Sequence, residues 1–160
     1  MNQAEIAKIA GITKKHPLMT FLNEISIAGN YRFRVTATGA TLELFITTLV
    51  KHHCPKHGGK FANWSFERKL ALLHEMGILT DNRFRLLNHF RDLRNNAAHE
   101  VKFEITKQTI AKFPVTLVKP ENVPEHEIVF HICAKMAFEL WNEHHNVLAQ
   151  YFFPEQERKG

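Results

Sequence analysis

The chain has 160 residues, of which 44% are hydrophobic, so it can bury one core and is too short for two domains of ordinary size. Its 21 basic and 16 acidic residues give a net charge of +5, which suits a polyanionic partner. Two cysteines, Cys54 and Cys133, are too few for a disulfide scaffold, and no secretory leader or membrane-spanning run is recognisable. We expect a single domain over residues 1–160 of a cytoplasmic protein, with no membrane contact.

Helical periodicity without a strand pattern predicts an all-α fold. Helices over residues 2–10 and 17–28 would form an N-terminal hairpin within residues 1–30. A third helix is predicted over residues 32–53, in which Gly39 marks either a close helix crossing or a break. The apolar positions expected to face the core lie at helical spacing: Leu42, Phe45, Ile46 and Leu49.

The segment from His52 to Gly59 is rich in histidine and is predicted to be a loop, because proline and paired glycines oppose helix continuation. Imidazole and thiolate are good zinc ligands. A structural zinc site usually needs a second ligand pair, which does not follow at a suitable spacing, although a three-ligand site stays open. We predict a connector without bound metal.

Two further helices follow as an antiparallel pair. Ser65 caps a helix over residues 66–76 that ends at Gly77, and Thr80 or Asp81 starts the next helix. The core stripe of that second helix is predicted to be Leu86, Phe90, Leu93 and Ala97.

The last part of the chain is predicted to hold a short helix at residues 106–112 and then the longest helix, which Glu125 opens. The bundle would span residues 31–153, with a frayed tail at 154–160. His144 and His145 are expected on the surface. The core residues of the closing helix are predicted to be Ile128, Ile132, Met136, Leu140 and Val147, with Val129, Phe138 and Trp141 beside them.

The most informative stretch runs from Arg94 to Val101, and it contains an arginine, an asparagine beside it and His99 after four intervening residues. A guanidinium offers a planar set of donors that matches a phosphate, and an imidazole can carry a proton near neutral pH. The same residue types also end helices, because they satisfy the last carbonyls and complement the helix dipole.

This pattern resembles the HEPN superfamily, many of whose members are metal-independent ribonucleases. The resemblance also reaches the mannitol operon repressor family. It extends upstream through Phe66 to Leu70, Met76 to Leu79, Leu86-Leu87 and Arg91 to Leu93. It implies an up-and-down helical bundle of HEPN type, with the N-terminal hairpin added. It further implies an endoribonuclease in which 2′-hydroxyl attack cleaves RNA, Arg94, Asn95 and His99 are catalytic, and no cofactor is needed.

The spacing within the helix has a consequence for such a site. Asn95 and His99 are four residues apart and can be neighbours, whereas Arg94 lies about 100° around the axis from Asn95. A homodimer through the helix at residues 81–98 would unite the two groups. The basic residues Arg83, Arg85 and Arg91 lie on the same helix and are candidates to bind the RNA backbone.

Two other functions remain open. One is a regulator without catalytic activity that resembles the mannitol operon repressor family and takes part in transcription regulation through protein or nucleic-acid contacts. The other is a structural module in which the arginine, asparagine and histidine tie the helix end to a neighbour. If the protein is a nuclease, the resemblance implies a toxin or defence component, with a cognate antitoxin or regulatory protein as a partner.

Overall fold

The computed structural model describes residues 30–57, 59–114 and 123–152, together with the separate positions Leu18, Phe21, Asn23, Ile25 and Ser26. In this part of the chain the protein is an all-α bundle without strands, which confirms the predicted fold class at that level. The α-helices are α1 (Tyr31–His53), α2 (Phe66–Glu75), α3 (Asp81–His99), α4 (Lys107–Ala111), α5 (Glu125–Glu143) and α6 (His145–Phe152), with a 3-10 turn at Pro55–His57.

Most of the predicted N-terminal hairpin and all of the tail at 154–160 lie outside the described residues. The separate positions between Leu18 and Ser26 are helical, in agreement with the predicted helix at 17–28. Leu18, Phe21 and Ile25 are buried with the rest of the core.

The central helix of the bundle is α1, which packs against α2, α3, α5 and α6. Asn30 caps it, since its Oδ1 accepts a hydrogen bond from Arg32 N at 2.8 Å. The predicted core residues are buried: Leu42, Phe45, Ile46 and Leu49. By length and composition alone α1 is apolar enough to cross a membrane, with a mean hydropathy of 1.2. However, 56% of that window is buried inside the protein, as is usual for a core helix.

The antiparallel pair forms as predicted. Gly77 ends α2 with a φ of 71°, a left-handed conformation that a residue with a Cβ rarely adopts. The stripe from Leu86 to Ala97 is buried in α3. Besides Asn30, polar side chains that accept a backbone hydrogen bond begin three further helices: Ser65, as predicted, for α2, Thr80 for α3 and Thr106 for α4.

α1 ends at His53, as the predicted helix does, and Cys54 N still donates to Val50 O at 2.9 Å, so the loop begins after His53 and not at His52. One prediction about helix length was wrong. The helix opened by Glu125 is not the longest, because it stops at Glu143 and α6 begins after His144.

The break at His144 has a packing reason. His144 has a φ of −123°, outside the helical range, and the chain turns there toward α1. The turn brings the Phe152 ring to 5.8 Å from both the Phe45 and the Trp141 ring centroids. Closing this aromatic cluster favours two helices over one. As a result His144 is half-buried, whereas His145 is exposed as predicted.

Candidate active site at the end of α3

Arg94 crosses α1 at Gly39, which resolves the two readings of that glycine in favour of a close crossing. A Cβ placed on Gly39 would lie 2.7 Å from Arg94 Cγ, well inside van der Waals contact. The helix runs on through Gly39 without a break. The stem of Arg94 therefore occupies a groove that only glycine leaves open.

The carboxylate of Glu43 lies between two cations on different helices. Its Oε2 is 3.8 Å from Arg94 Nη2 on α3, and its Oε1 is 3.8 Å from Lys69 Nζ on α2. Lys69 is only 3% exposed, and its ammonium also donates to Thr47 Oγ1 at 3.0 Å. The Glu43 contacts are longer than hydrogen bonds, so they hold Arg94 loosely. The Arg94 side chain keeps 38% of its surface exposed.

Asn95 and His99 are placed differently from Arg94. His99 is the last residue of α3 and is exposed, and Asn95 one turn earlier is half-buried. Neither side chain makes a hydrogen bond to another residue in the described part of the chain. Along α3, Arg94 and His99 are separated by about 140° by the helical pitch. One chain therefore presents Asn95 and His99 on one side of α3 and directs Arg94 toward α1.

The end of α3 is held by a residue that sequence reasoning missed. Arg32 Nη2 donates hydrogen bonds to Glu100 O at 2.7 Å and to Val101 O at 3.1 Å. These carbonyls follow directly after His99, at the negative end of the helix dipole, where a cation is favourable. Because 68 residues separate Arg32 from Glu100, no local pattern could have revealed this contact.

An open cavity of about 630 Å³ lies beside this end of α3. Tyr31 crosses it by donating from its hydroxyl to Phe103 O at 3.1 Å. Its lining mixes aromatic and charged side chains: Asn30, Tyr31, Arg32, Val101, Lys102, Phe103 and Glu104. His99, Asn95 and Arg94 are not among these lining residues.

Arg83, one of the predicted RNA-binding residues, is 5% exposed. Its Nε donates to Glu143 Oε2 at 2.9 Å, and its Nη2 lies 2.9 Å from Glu139 Oε2. Burial raises the pKa of Glu139, but hydrogen bonds from Lys135 and Arg83 outweigh it and hold that pKa below its usual value. Arg83 thus ties the start of α3 to the end of α5.

The other two predicted RNA-binding arginines differ in their surroundings. The half-buried Arg91 has Nη1 3.0 Å from Glu67 Oε1 and Nη2 3.0 Å from Asp92 Oδ1. Arg85 is exposed and donates to Asn82 Oδ1 at 2.9 Å, with no carboxylate partner among the described residues. Arg85 is therefore the most available cation of the predicted set.

Both cysteines are free thiols, of which Cys133 is buried and Cys54 is half-buried. Burial raises the pKa of Cys133 to about 12, so its thiol stays protonated at neutral pH. Cys54 Sγ lies 3.7 Å from Met76 Sδ. Within the described ranges, no three His, Cys, Asp or Glu side chains group together as metal ligands would.

Comparison of the chain with protein-family models, curated proteins and solved structures finds no match in any of the three.

Proposed function

We propose that the protein is a metal-independent endoribonuclease of HEPN type, acting in the cytoplasm as a toxin or defence component. The observation that carries the proposal is the state of His99. It ends α3 exposed and without a hydrogen-bond partner in the described residues, while Arg32 binds the carbonyls that follow it. A histidine that served to tie the helix end would be expected to bind one of its neighbours.

In the proposed reaction the RNA 2′-hydroxyl attacks the adjacent phosphorus while the bond to the 5′-oxygen breaks. The imidazole of His99 takes the proton from the 2′-hydroxyl, and water protonates the departing 5′-oxygen. The products are a 2′,3′-cyclic phosphate and a 5′-hydroxyl. Arg94 would stabilise charge on the phosphoryl oxygens, and Asn95 would bind the phosphate or orient the histidine.

A homodimer is part of this proposal, because one chain directs Arg94 and His99 to different sides of α3. In a two-fold dimer each site can draw its arginine from one chain and its histidine from the other. Arg85 is our first candidate to bind the RNA backbone, followed by Arg91, whose guanidinium is paired with carboxylates. Arg83 is left out of the RNA-binding surface because it is buried.

A structural role for Arg94 is the second candidate, and its packing against Gly39 and Glu43 favours it. In that case the arginine would fix α3 on α1, and the protein would act through binding. The partially exposed guanidinium and the loose contact to Glu43 fit both roles.

The test is cleavage of a broad pool of RNA in the presence of a chelator. His99→Ala should lower the rate by about 100- to 10,000-fold, the usual effect of losing a general acid or base. His145→Ala, which removes another exposed histidine on α6, is the matched control and should cleave like the wild type. Wild-type protein that leaves every RNA intact would contradict the proposal.

Arg94→Lys separates the two roles of the arginine. Lysine keeps the charge and much of the stem that packs on Gly39, but it loses the planar pair of donors that binds two phosphoryl oxygens. The catalytic role predicts slow cleavage with an almost unchanged melting temperature. A lowered melting temperature with normal cleavage would assign Arg94 to the structural role.

A further inference from the structure

One side of α1 is apolar and exposed to solvent. Phe33 is 50% exposed and Leu44 is 51% exposed, which is unusual for large hydrophobic side chains. Between them Ala40 is exposed and Ala37 is half-buried. These four residues, Phe33, Ala37, Ala40 and Leu44, are called the α1 stripe.

The spacing of the α1 stripe places its members on one face of the helix. Steps of four, three and four residues keep to a single side at the helical pitch, over a length of roughly 16 Å. Thr36 and Thr41, which carry no charge, lie on either side of the stripe. The stripe is therefore a continuous apolar surface with small residues at its centre.

The charged residues within this part of α1 are kept away from the stripe. Arg34 is buried and donates from Nε to Ile25 O at 2.7 Å, and Glu43 lies between Lys69 and Arg94. The centre of the stripe thus carries no unpaired charge and is flanked by large apolar side chains, which is typical of a protein interface.

The order of residue sizes in the stripe identifies what covers it. Read in either direction along α1 it is large, small, small, large, with the same spacing. We propose that the α1 stripe is the homodimer interface, and that a second copy packs on it with α1 antiparallel to α1. Phe33 then meets Leu44 of the partner subunit, and Ala37 meets Ala40 of the partner subunit. An isologous contact requires such self-complementarity.

The exposed face of α3, which the sequence favoured as the interface, is less suitable. Its exposed side chains are mainly polar or charged: Asp81, Asn82, Arg85, Asp92, Asn96 and His99. Burying this set against its own copy would remove charged and polar groups from water. The apolar stripe on α1 has no such cost.

The symmetry of this dimer bears on the proposed nuclease, although the interface stands without that function. The two-fold axis is normal to the plane of the two α1 helices, so each residue returns to the same side of that plane. Arg94 meets α1 at Gly39, and the midpoint of the stripe falls between Thr38 and Gly39. By the helical pitch Gly39 lies about 130° around α1 from the stripe, so each Arg94 is at the level of the dimer's midpoint but on the side of its own α1 that faces away from the partner.

The size of the stripe sets the expected affinity. Stable dimers bury roughly 800 Å² per partner, and a three-turn helix face offers less than that. The dimer should therefore be weak, with a Kd on the order of micromolar. Sedimentation velocity on the full chain across the micromolar range should show a monomer that becomes a dimer as concentration rises.

Ala40→Arg tests the interface directly, because it places a charge at the centre of the stripe where the two helices approach most closely. The variant should remain monomeric at every concentration while its circular dichroism and melting temperature match the wild type. Ala71→Arg makes the same change at an exposed alanine on α2 and should dimerise normally. Equal dimerisation of both variants would overturn the proposal.

The antiparallel register has its own test, in a Cys54→Ser background. Disulfide formation needs Cα atoms within about 7 Å, so a Cys at position 37 of one chain should couple with a Cys at position 40 of the other. A mixture of Ala37→Cys and Ala40→Cys proteins should give mainly the mixed cross-link, and each protein alone should give little. Strong cross-linking of either variant with itself would overturn this register.

Two other occupants of the stripe are outcomes of the same experiments. A wild-type protein that stays monomeric throughout the micromolar range overturns the proposal and leaves the stripe to residues 1–17 of the chain itself. A monomer that floats with phosphatidylcholine vesicles, and loses this property in Leu44→Glu, would assign the stripe to a lipid surface instead. An RNA-inactive protein that nevertheless dimerises, and that Ala40→Arg makes monomeric, would keep this interface while the proposed nuclease fails.

Discussion

Arg94 and Gly39 are in direct contact across α3 and α1, because the missing Cβ of the glycine makes room for the arginine stem. Gly39→Ala would place a methyl group 2.7 Å from Arg94 Cγ, an atom too close to the backbone to move freely. We expect the free energy of unfolding to fall by about 1 to 2 kcal/mol, since overpacking exceeds the helix propensity gained from alanine.

The same substitution should slow RNA cleavage by displacing Arg94. Gly59→Ala is the matched control, because a Cβ there meets nothing within 4 Å. Urea unfolding and the cleavage assay on both variants provide the measurement. A Gly39→Ala protein that is more stable than the wild type and equally active would contradict the close crossing.

Mixing two inactive variants tests whether the site is shared between chains. In a dimer of Arg94→Ala with His99→Ala, one composite site loses both groups and the other keeps both. Randomly mixed chains should then recover about a quarter of the wild-type rate, since half of the dimers are mixed and each holds one intact site. If the mixture stays inactive although mixed dimers form, each site belongs to a single chain.

Arg83 and Arg85, two arginines of α3 two residues apart, should respond in opposite ways. Arg83→Ala leaves Glu139 and Glu143 without their shared cation. We expect a loss of about 2 kcal/mol in the free energy of unfolding, less than for a fully buried pair because both carboxylates keep contact with water. RNA affinity at constant salt should not change.

Arg85→Ala should instead weaken RNA binding and leave stability within about 0.5 kcal/mol of the wild type. Unfolding curves and fluorescence anisotropy with a labelled RNA, in the inactive His99→Ala background, measure both effects. If Arg83→Ala weakens RNA binding while its free energy of unfolding matches that of the wild type, Arg83 belongs to the RNA-binding surface after all.

These contrasts show which features local sequence could predict. The caps at Ser65, Thr80 and Thr106 and the turn at Gly77 depend on side chains within a few residues, so their chemistry is readable from the sequence. The break at His144 depends on aromatic contacts with α1, a distant part of the chain.

The candidate site divides in the same way. The residue types from Arg94 to His99 could be recognised locally, and so could Gly39 as a special position. The burial of Arg83 and the contact of Glu43 with Lys69 join helices far apart in the chain, and they became visible only in the fold. The pairing of charges between helices decides which arginines of α3 are available, and periodicity carries no information about it.

Stability should depend on pH through His53 and His144. Burial lowers the pKa of His53, and the charge of His52 lowers it further. Burial also lowers the pKa of His144, with His53 and Arg83 adding to the effect and Glu143 opposing it. In the folded protein both pKa values thus lie below the ordinary histidine value of 6.5.

As the pH falls below 6.5, the unfolded chain takes up protons first. The stabilisation from these neutral histidines is complete above that pH and decreases below it. We expect the free energy of unfolding to drop between about pH 7 and pH 5 in urea titrations. His144→Gln should flatten the slope, whereas a variant with an unchanged slope would remove His144 from this account.

Attack by the 2′-hydroxyl without metal is the central claim, and end-group analysis of a single oligonucleotide tests it most directly. Wild-type protein is incubated in chelator with an RNA and with the same sequence carrying 2′-O-methyl groups, which remove the attacking hydroxyl. We predict cleavage of the RNA to 2′,3′-cyclic phosphate and 5′-hydroxyl ends, and an intact methylated strand. Intact RNA, equal cleavage of both strands, or 3′-hydroxyl products would contradict it.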